Sequence, residues 1–453
     1  MAHVALLYAH HAASANAEPL AVVSVTGIAT LRRQARQAIR AGASRILVVV
    51  ERMSPGVAAA IEAVRRDHGD VGIVRAGGEI ASAIADEDIV LSIDEGLVAD
   101  ERAIAAVMAA PGAAPSLAVW READRRPVVA ERIAADRFFA GIGRFPGRLV
   151  RTVAQRLGDW DMQATLVRAA LGEGPVANVY VTELPLYCPS RRREVPLVWH
   201  RVSDAATAET ATRDVLAAAQ KGVLDWPARF IHPPIENLLT RLFMPTPVTP
   251  NMVSVGVFLV GVVALACFAK GWLWAGLGLA LVVGPLDGVD GKLARSRVEF
   301  SKWGDLEHVA DKVVEYGWFF ALAYHFAAVG HASAWAVAAI IVLFALAEAG
   351  QGEFFRRFTG RQIDDAGDFE RRFRLIAGRR NTFFWTLLPF GVFDAWFGGF
   401  VTISAYSTMT FFIMQLRLFR RLQAYGTQNS AQIAANFRET AYKFLSPKDQ
   451  SAS

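Results

Sequence analysis

The sequence predicts two unlike halves: an N-terminal α/β domain built on a parallel sheet, and a C-terminal all-α polytopic membrane domain of six transmembrane helices. Three observations carry this. Hydrophobic residues make up 53% of the 453 residues, and the mean hydropathy of +0.28 is that of a membrane protein. The apolar residues are unevenly spread, in short runs alternating with helical patterns first and in long runs only after about residue 250. Between two of the long runs lies the charged stretch from Gly284 to Lys312, GPLDGVDGKLARSRVEFSKWGDLEHVADK, where ionised groups are costly enough to mark a functional site.

Residues 1–225 read as alternating strands and helices: VALLYA, a helix over Thr30–Ala41, RILVVV, then DIVLSID. The next stretch, 226–251, joins the halves. Its Ile231, Ile235, Leu238, Leu239 and Leu242 recur at helical spacing, with Arg229, Asn237 and Arg241 for the wet face, so an amphipathic helix lying in the membrane interface is expected. Thr249-Pro250-Asn251 then opens the membrane domain, Thr capping and Pro starting its first helix. Within 252–425 six segments are expected: Met252–Phe268, Leu273 to about Asp290, Val309–Val329, Ala334–Ala349, Thr382–Trp396, and Val401 to about Leu418. The connections at Lys292–Lys302 and Arg356–Arg380 and the tail after Arg417 are rich in cations, whereas those near Gly271, Gly330 and Gly398 are nearly bare. By the positive-inside rule the N-terminal domain and the C-terminus are both cytoplasmic, in a multi-pass protein of the cell (inner) membrane. Residues 426–453 form a cytoplasmic tail whose last residues, SPKDQSAS, read as disordered.

Composition narrows the function classes. The formal net charge is only +5, without a basic stripe interleaved with aromatics, so the surface suits membrane contact and not nucleic acid. Cys188 and Cys267, the two cysteines, make neither a disulfide framework nor a paired metal motif, which fits a reducing compartment. MAHVALLYAHH lacks the pattern of a secretory signal.

The charged stretch carries the chemistry. Asp287 and Asp290 are three apart and Glu307 and Asp311 four apart, so each pair shares a helix face. Two such faces can clamp a divalent cation, and hard oxygen ligands without a Cys or His cluster favour Mg²⁺ or Mn²⁺. Gly288 and Gly291 remove side chains where a ligand must approach the backbone, and Lys292, Arg295 and Arg297 supply charge for phosphate. His308 reads as a helix-surface residue or one that supports the ligands from behind, and not as a ligand itself. The combination suits a metal-bound pyrophosphate.

Here the sequence resembles the CDP-alcohol phosphotransferase family, whose signature is D-x-x-D-G-x-x-A-R, eight residues, then G-x-x-x-D-x-x-x-D. Asp287, Asp290, Gly291, Ala294, Arg295 and Gly304 fall on it. Beyond Gly304 the chain is one residue short. Matching the Val-Ala-Asp-Lys ending puts Glu307 at the third acid and Asp311 at the fourth; a competing alignment uses Asp311 and Glu315. The resemblance implies a homodimeric six-helix enzyme that transfers a phospho-alcohol from a CDP-alcohol donor to an alcohol acceptor and releases CMP. It assigns metal binding to Asp287, Asp290, Glu307 and Asp311, the general base to Asp311, and the CDP cradle to Gly291, Ala294 and Arg295. Arg379 and Arg380, at the cytoplasmic mouth of the fifth segment, match a basic pocket for the acceptor phosphate. Glu348 is a candidate partner for one of the arginines.

The first half resembles sugar-phosphate nucleotidyltransferases, with a Rossmann-type parallel sheet. The residues concerned are Gly27-Ile28, Leu31-Arg32-Arg33, Ala41 to Ile46, Asp94 at a strand end, Gly158 to Asp161 and Ala217 to Lys221. The layout is that of fused inositol-phosphate cytidylyltransferase/phosphotransferase enzymes. A nucleotidyltransferase needs backbone amides and a cation after its first strand to hold a triphosphate; here residues 9–17 read AHHAASANA, without Gly, Arg or Lys. The expectation is a nucleotidyltransferase-like fold that has lost the activity. The donor is then CDP-diacylglycerol or a CDP-polyol such as CDP-inositol. Two other function classes stand beside the transferase: a membrane-anchored cytidylyltransferase working through the first half, and a non-catalytic membrane scaffold.

Overall fold

The computed structural model describes residues 2–10, 18–75, 77–122, 131–158, 160–299, 304–360 and 362–426, with side chains from residue 309 onward in the helix that begins at Gly304. Residues 11–17 of the loop after the first strand, Asp159, the side chains of Glu307 and His308, and the tail beyond Gly426 lie outside the described residues.

The first half is a sheet sandwiched by helices. Its strands are β1 (His3–Ala9), β2 (Arg45–Val50), β3 (Val71–Val74), β4 (Ile89–Ile93), β5 (Ser116–Arg121), β6 (Arg132–Ala134), β7 (Arg137–Pro146) and β8 (Ala177–Tyr180), in the order β8-β5-β7-β4-β1-β2-β3, with β6 on β7. Strand β1 shows why both faces are covered. Val4, Leu6 and Tyr8 point into one core and Ala5, Leu7 and Ala9 into the other, all at most 1% exposed, the period-two alternation of a strand buried on both sides. Helices α1 (Thr30–Arg40), α2 (Pro55–Asp67) and α4 (Glu101–Ala109) cover the second face; α3 (Gly77–Ala83), α5 (Gly147–Gln155) and α6 (Met162–Glu173) cover the first. The expected parallel sheet is in fact mixed. Strand β7 runs antiparallel to both β4 and β5. Helix α7 (Ala205–Ala219) closes the domain, held at its start by a capping box of Asp204 and Thr207.

Between the halves, a π-helical turn over Pro227–Ile231 leads into α8 (His232–Phe243). Phe230, Ile235, Leu238 and Leu242 are exposed, whereas His232, Glu236 and Thr240 are buried, so the apolar stripe faces outward and the polar stripe faces protein. That suits a helix lying at a lipid surface. Arg229, Asn237 and Arg241 are exposed, as expected of the wet face, and Asn237 Oδ1 also accepts from Lys292 Nζ at 2.6 Å.

Helices occupy all six expected membrane segments: α9 (Pro250–Ala269), α10 (Leu273–Arg297), α11 (Gly304–Ala328), α12 (Ala334–Thr359), α14 (Arg380–Val392) and α15 (Trp396–Gly426), with the short α13 (Asp368–Phe373) before α14. Among the described residues, α9, α10, α12 and α15 are long and apolar enough to cross a membrane. Six spans are thus not established. Helix α14 has 13 residues, about 20 Å at the helical rise, against a hydrocarbon core of about 30 Å. Thr249 Oγ1 caps α9 by accepting from Met252 N at 3.3 Å, with Pro250 in the first turn, as the Thr-Pro-Asn run predicts. Helix α10 continues past Asp290 to Arg297 and ends where Val298 turns left-handed at φ 54°, a helix-closing conformation. Phe268, Trp318, Phe319 and Phe384 pack ring against ring at the centre of the bundle.

The α/β domain grips the end of α10. The last carbonyls of a helix lack partners within it and favour cations, and α1 supplies two guanidiniums. Arg33 Nη1 donates to Ser296 O at 2.5 Å, and Arg36 Nη1 donates to Arg297 O at 2.8 Å; Thr26 Oγ1 adds a bond to Ser296 O at 2.9 Å. Beside them Gly27 has φ +79°, and a Cβ there would stand 2.0 Å from the Met244 carbonyl oxygen. Gly27→Ala is expected to cost about 2 kcal/mol or more through left-handed strain and backbone overlap. Faster amide exchange around Met244 and the end of α10 would report the loosened joint; unchanged exchange there would count against the grip.

Candidate active site

The motif lies on α10 as a helical stripe, and its glycines separate two jobs. A Cβ at Gly288 would stand 2.3 Å from Glu236 Oε1, and one at Gly284 would stand 2.7 Å from the His232 ring. Both glycines admit α8, and both also line the cavity described below. Gly291 leaves room for the Arg295 guanidinium, 2.8 Å from where its Cβ would be.

The three motif cations also divide. Lys292 is 1% exposed and its Nζ donates to Glu236 Oε2 at 3.2 Å and Asn237 Oδ1 at 2.6 Å. Arg297 is consumed by the carbonyls of Phe243, Met244, Thr246 and Val248. Both therefore hold the α8–α9 connection onto α10 and are not phosphate ligands as expected. Arg295 alone of the three lines the cavity, with its Nε donating to Ala219 O at 2.7 Å.

That cavity, about 1410 Å³, is walled by both halves of the chain. Asp287, Asp290 and Asp311 all line it, together with Gly291, Ala294, Glu315, Arg379 and Arg380. Asp287 Oδ2 accepts from Arg380 Nη2 at 2.7 Å, and Asp290 Oδ2 accepts from Ser254 Oγ at 2.7 Å. Ser254 on α9 was not anticipated; it sits one helical turn past Thr-Pro-Asn, and nothing in its own neighbourhood distinguishes it. Glu315, the acid of the competing alignment, is tied to Lys312 Nζ at 2.7 Å. Arg379 pairs with Glu348 at 2.7 Å and lies 3.8 Å from Asp364, so Glu348 has the arginine partner expected of it. Asp364 is almost sealed; burial pushes its carboxyl upward, but Arg374, Arg379 and Arg192 outweigh burial and hold it below the ordinary aspartate range. Asn381 Nδ2 donates to Asp225 at 3.1 Å, fixing α14 to the interdomain segment.

A hard divalent cation fits this donor set in kind. Carboxylates from α10 and α11 line one cavity, and no Cys or Met stands among the described residues of its wall. No three His, Cys, Asp or Glu side chains among the described residues converge to coordination distance. The expected third ligand, Glu307, is outside that set.

At the first half's own candidate site, Asp94 forms an ion pair with Arg201 and accepts from Glu95 N at 3.0 Å. His10 lies against Asp161 at 3.4 Å and Glu95 at 3.6 Å. A guanidinium thus holds the strand-end carboxylate that a metal would need.

Fold and site together define a multi-pass membrane protein with an acid-lined cavity walled by its helical half and its α/β domain. The family model described as CDP-alcohol phosphatidyltransferase matches residues 247–351. The chain is 32% identical over 182 residues to the inner membrane protein YnjF of Escherichia coli strain K12, a match covering 37% of this chain and 83% of that protein. It is 33% identical over 117 residues to the phosphatidylinositol phosphate synthase of Cutibacterium acnes, covering 25% of this chain and 55% of that enzyme, little more than half its length. The chain belongs to the CDP-alcohol phosphatidyltransferase family. In structure it is similar to the inositol-1-phosphate CTP transferase of T. maritima, with a TM-score of 0.35 at 13% identity, covering 47% of this chain and 95% of that one. A UDP-glucose pyrophosphorylase gives 0.32 at 8% identity, covering 47% and 98%.

Proposed function

We propose that this protein transfers a phospho-alcohol from a CDP-alcohol to an acceptor hydroxyl and releases CMP, at the cytoplasmic face of the inner membrane. The observation that supports this reading is that Asp287 and Asp290 on α10 and Asp311 on α11 line one cavity together with Arg295, Arg379 and Arg380. Mg²⁺ or Mn²⁺, held by Asp287, Asp290, Asp311 and Glu307, would supply Lewis-acid polarisation of the pyrophosphate.

The chain's own residues do the rest. Arg295, beside Gly291 and Ala294, holds the CDP portion. Asp311 accepts the proton of the incoming hydroxyl, whose oxygen forms a bond to the phosphorus bearing the donor alcohol. The bond from that phosphorus to the bridging oxygen breaks, and CMP leaves with the electron pair. Arg379 and Arg380 orient a phosphate on the acceptor. A polyol phosphate is the acceptor class favoured by the likeness to a phosphatidylinositol phosphate synthase. CDP-diacylglycerol and a CDP-polyol are the two donors to distinguish. The reading includes a homodimer.

The test is CMP release by purified protein given either donor and a panel of alcohol acceptors. Release is expected to need one donor and one acceptor, to vanish in EDTA, and to return with Mg²⁺. No release with any pair would overturn the reading. Turnover of a nucleoside triphosphate would point to the first half instead, although the Arg201 contact to Asp94 speaks against it.

A further inference from the structure

Among the described residues, the cavity wall contains one cation that neither the family motif nor an ion pair accounts for. Arg36, Arg40, Arg192, Lys312, Arg356, Arg374, Arg379 and Arg380 line the cavity, and each stands in an ion pair with a carboxylate. Two lining cations do not. Arg295 bonds a backbone carbonyl, and Lys221, from the soluble half, meets no acceptor among the described residues. They are neighbours, because the carbonyl that Arg295 engages belongs to Ala219, two residues before Lys221. Burial pushes the Lys221 ammonium below the ordinary lysine range, with Arg295 and Arg192 adding to that effect and Asp287 and Asp290 opposing it. The side chain nevertheless remains exposed toward the cavity.

The turn that carries Lys221 is built, not loose. Gly222 N donates to Arg191 O at 2.7 Å, and Arg193 Nε donates to Gln220 O at 2.8 Å. A Cβ at Gly222 would stand 2.8 Å from Arg192 O. Arg192 and Val223 are both held left-handed, at φ 53° and 51°, a conformation that costs non-glycine residues about 1–3 kcal/mol and concentrates at functional sites. Arg192 then reaches Asp364 at 3.5 Å, which ties this lip to the membrane half.

We propose that Lys221 binds a phosphate of the donor's diphosphate, so that the donor site is completed by a residue of the soluble domain. The proposal rests on the transferase reading above. Two adjacent cations without carboxylate partners among the described residues complement a diphosphate, whereas Arg379 and Arg380, assigned to the acceptor, are paired with Glu348 and Asp287. On this view the soluble domain is a wall of the transferase site and need not be an enzyme itself.

The test uses the full chain in nanodiscs with Lys221→Met and Lys221→Arg, and CDP as the binding probe. Lys221→Met is expected to weaken CDP about tenfold, to leave cytidine unaffected, and to raise the donor KM with the acceptor KM unchanged. Lys221→Arg is expected to recover most of the loss. An acceptor KM that rises instead would assign the phosphate to the acceptor and overturn the proposal, as would CDP affinity unchanged in Lys221→Met. Wild-type protein that binds CDP without releasing CMP from any donor would sink the transferase reading alone; wild-type protein that binds no CDP would sink both.

Discussion

Asp311→Asn is expected to lower CMP release about a thousandfold while the protein still folds and binds CDP. The substitution keeps the volume and one acceptor oxygen of the side chain but removes its charge and its ability to take a proton. A general base contributes about 10²–10⁴ in rate, and the same carboxylate is assigned a share of the metal. Asp311 lines the cavity opposite Asp287 and Asp290, so its loss removes an acid from the α11 wall without disturbing the α10 stripe. The comparison that gives the result meaning is Glu315→Gln. Glu315 is one helical turn further on, 6% exposed and bonded to Lys312, and is expected to cost less than about tenfold because its charge is already committed. A collapse with Glu315→Gln and survival with Asp311→Asn would establish the competing alignment of the shortened motif. Kinetics of the two variants under saturating donor, with thermal melting as the folding control, separate these cases.

The elements that were legible in the sequence are those whose causes are local. Strand β1 announces itself by unbroken apolar residues, α9 by Thr-Pro-Asn and the run behind it, and the α10 stripe by spacing alone. Where partners come from far along the chain, the sequence was silent. Lys292 and Arg297 looked like phosphate ligands because they stand in a phosphate-binding motif. Their actual partners, Glu236 and the carbonyls of residues 243–248, become visible only when α8 folds against α10. Lys221 stood out only as the end of the Ala217–Lys221 run in the nucleotidyltransferase resemblance, because its place on the cavity wall depends on Arg295 reaching Ala219 O. Gly288 has the residue type demanded by either a ligand or a packed helix, and only the fold shows that α8 packs there through Glu236. The antiparallel course of β7 was hidden because a buried strand reads the same in either direction.

Lys292→Met is expected to destabilise the protein by about 3–5 kcal/mol, the usual cost of breaking a buried ion pair by removing one partner. The ammonium is 1% exposed and Glu236 5% exposed, and the contact joins α10 to α8, 56 residues apart. Methionine fills the space but leaves the Glu236 carboxylate in protein without a counter-charge, and that stranded charge is the larger part of the cost. Adding Glu236→Gln removes it, so the double variant should regain much of the lost stability even though it has fewer polar contacts than the single one. Thermal melting of the wild type, both single variants and the double variant in nanodiscs closes the cycle. Additive losses would mean that the pair is not coupled and that something else holds α8 in place. Recovery in the double variant would locate the joint between the interfacial helix and the motif helix at this pair. Gly284 and Gly288 lie on that same contact, directly over His232 and Glu236, so whatever separates α8 from α10 also displaces the backbone that carries Asp287. Where the single variant remains folded, its CMP release should therefore fall, and the double variant should restore release in parallel with stability.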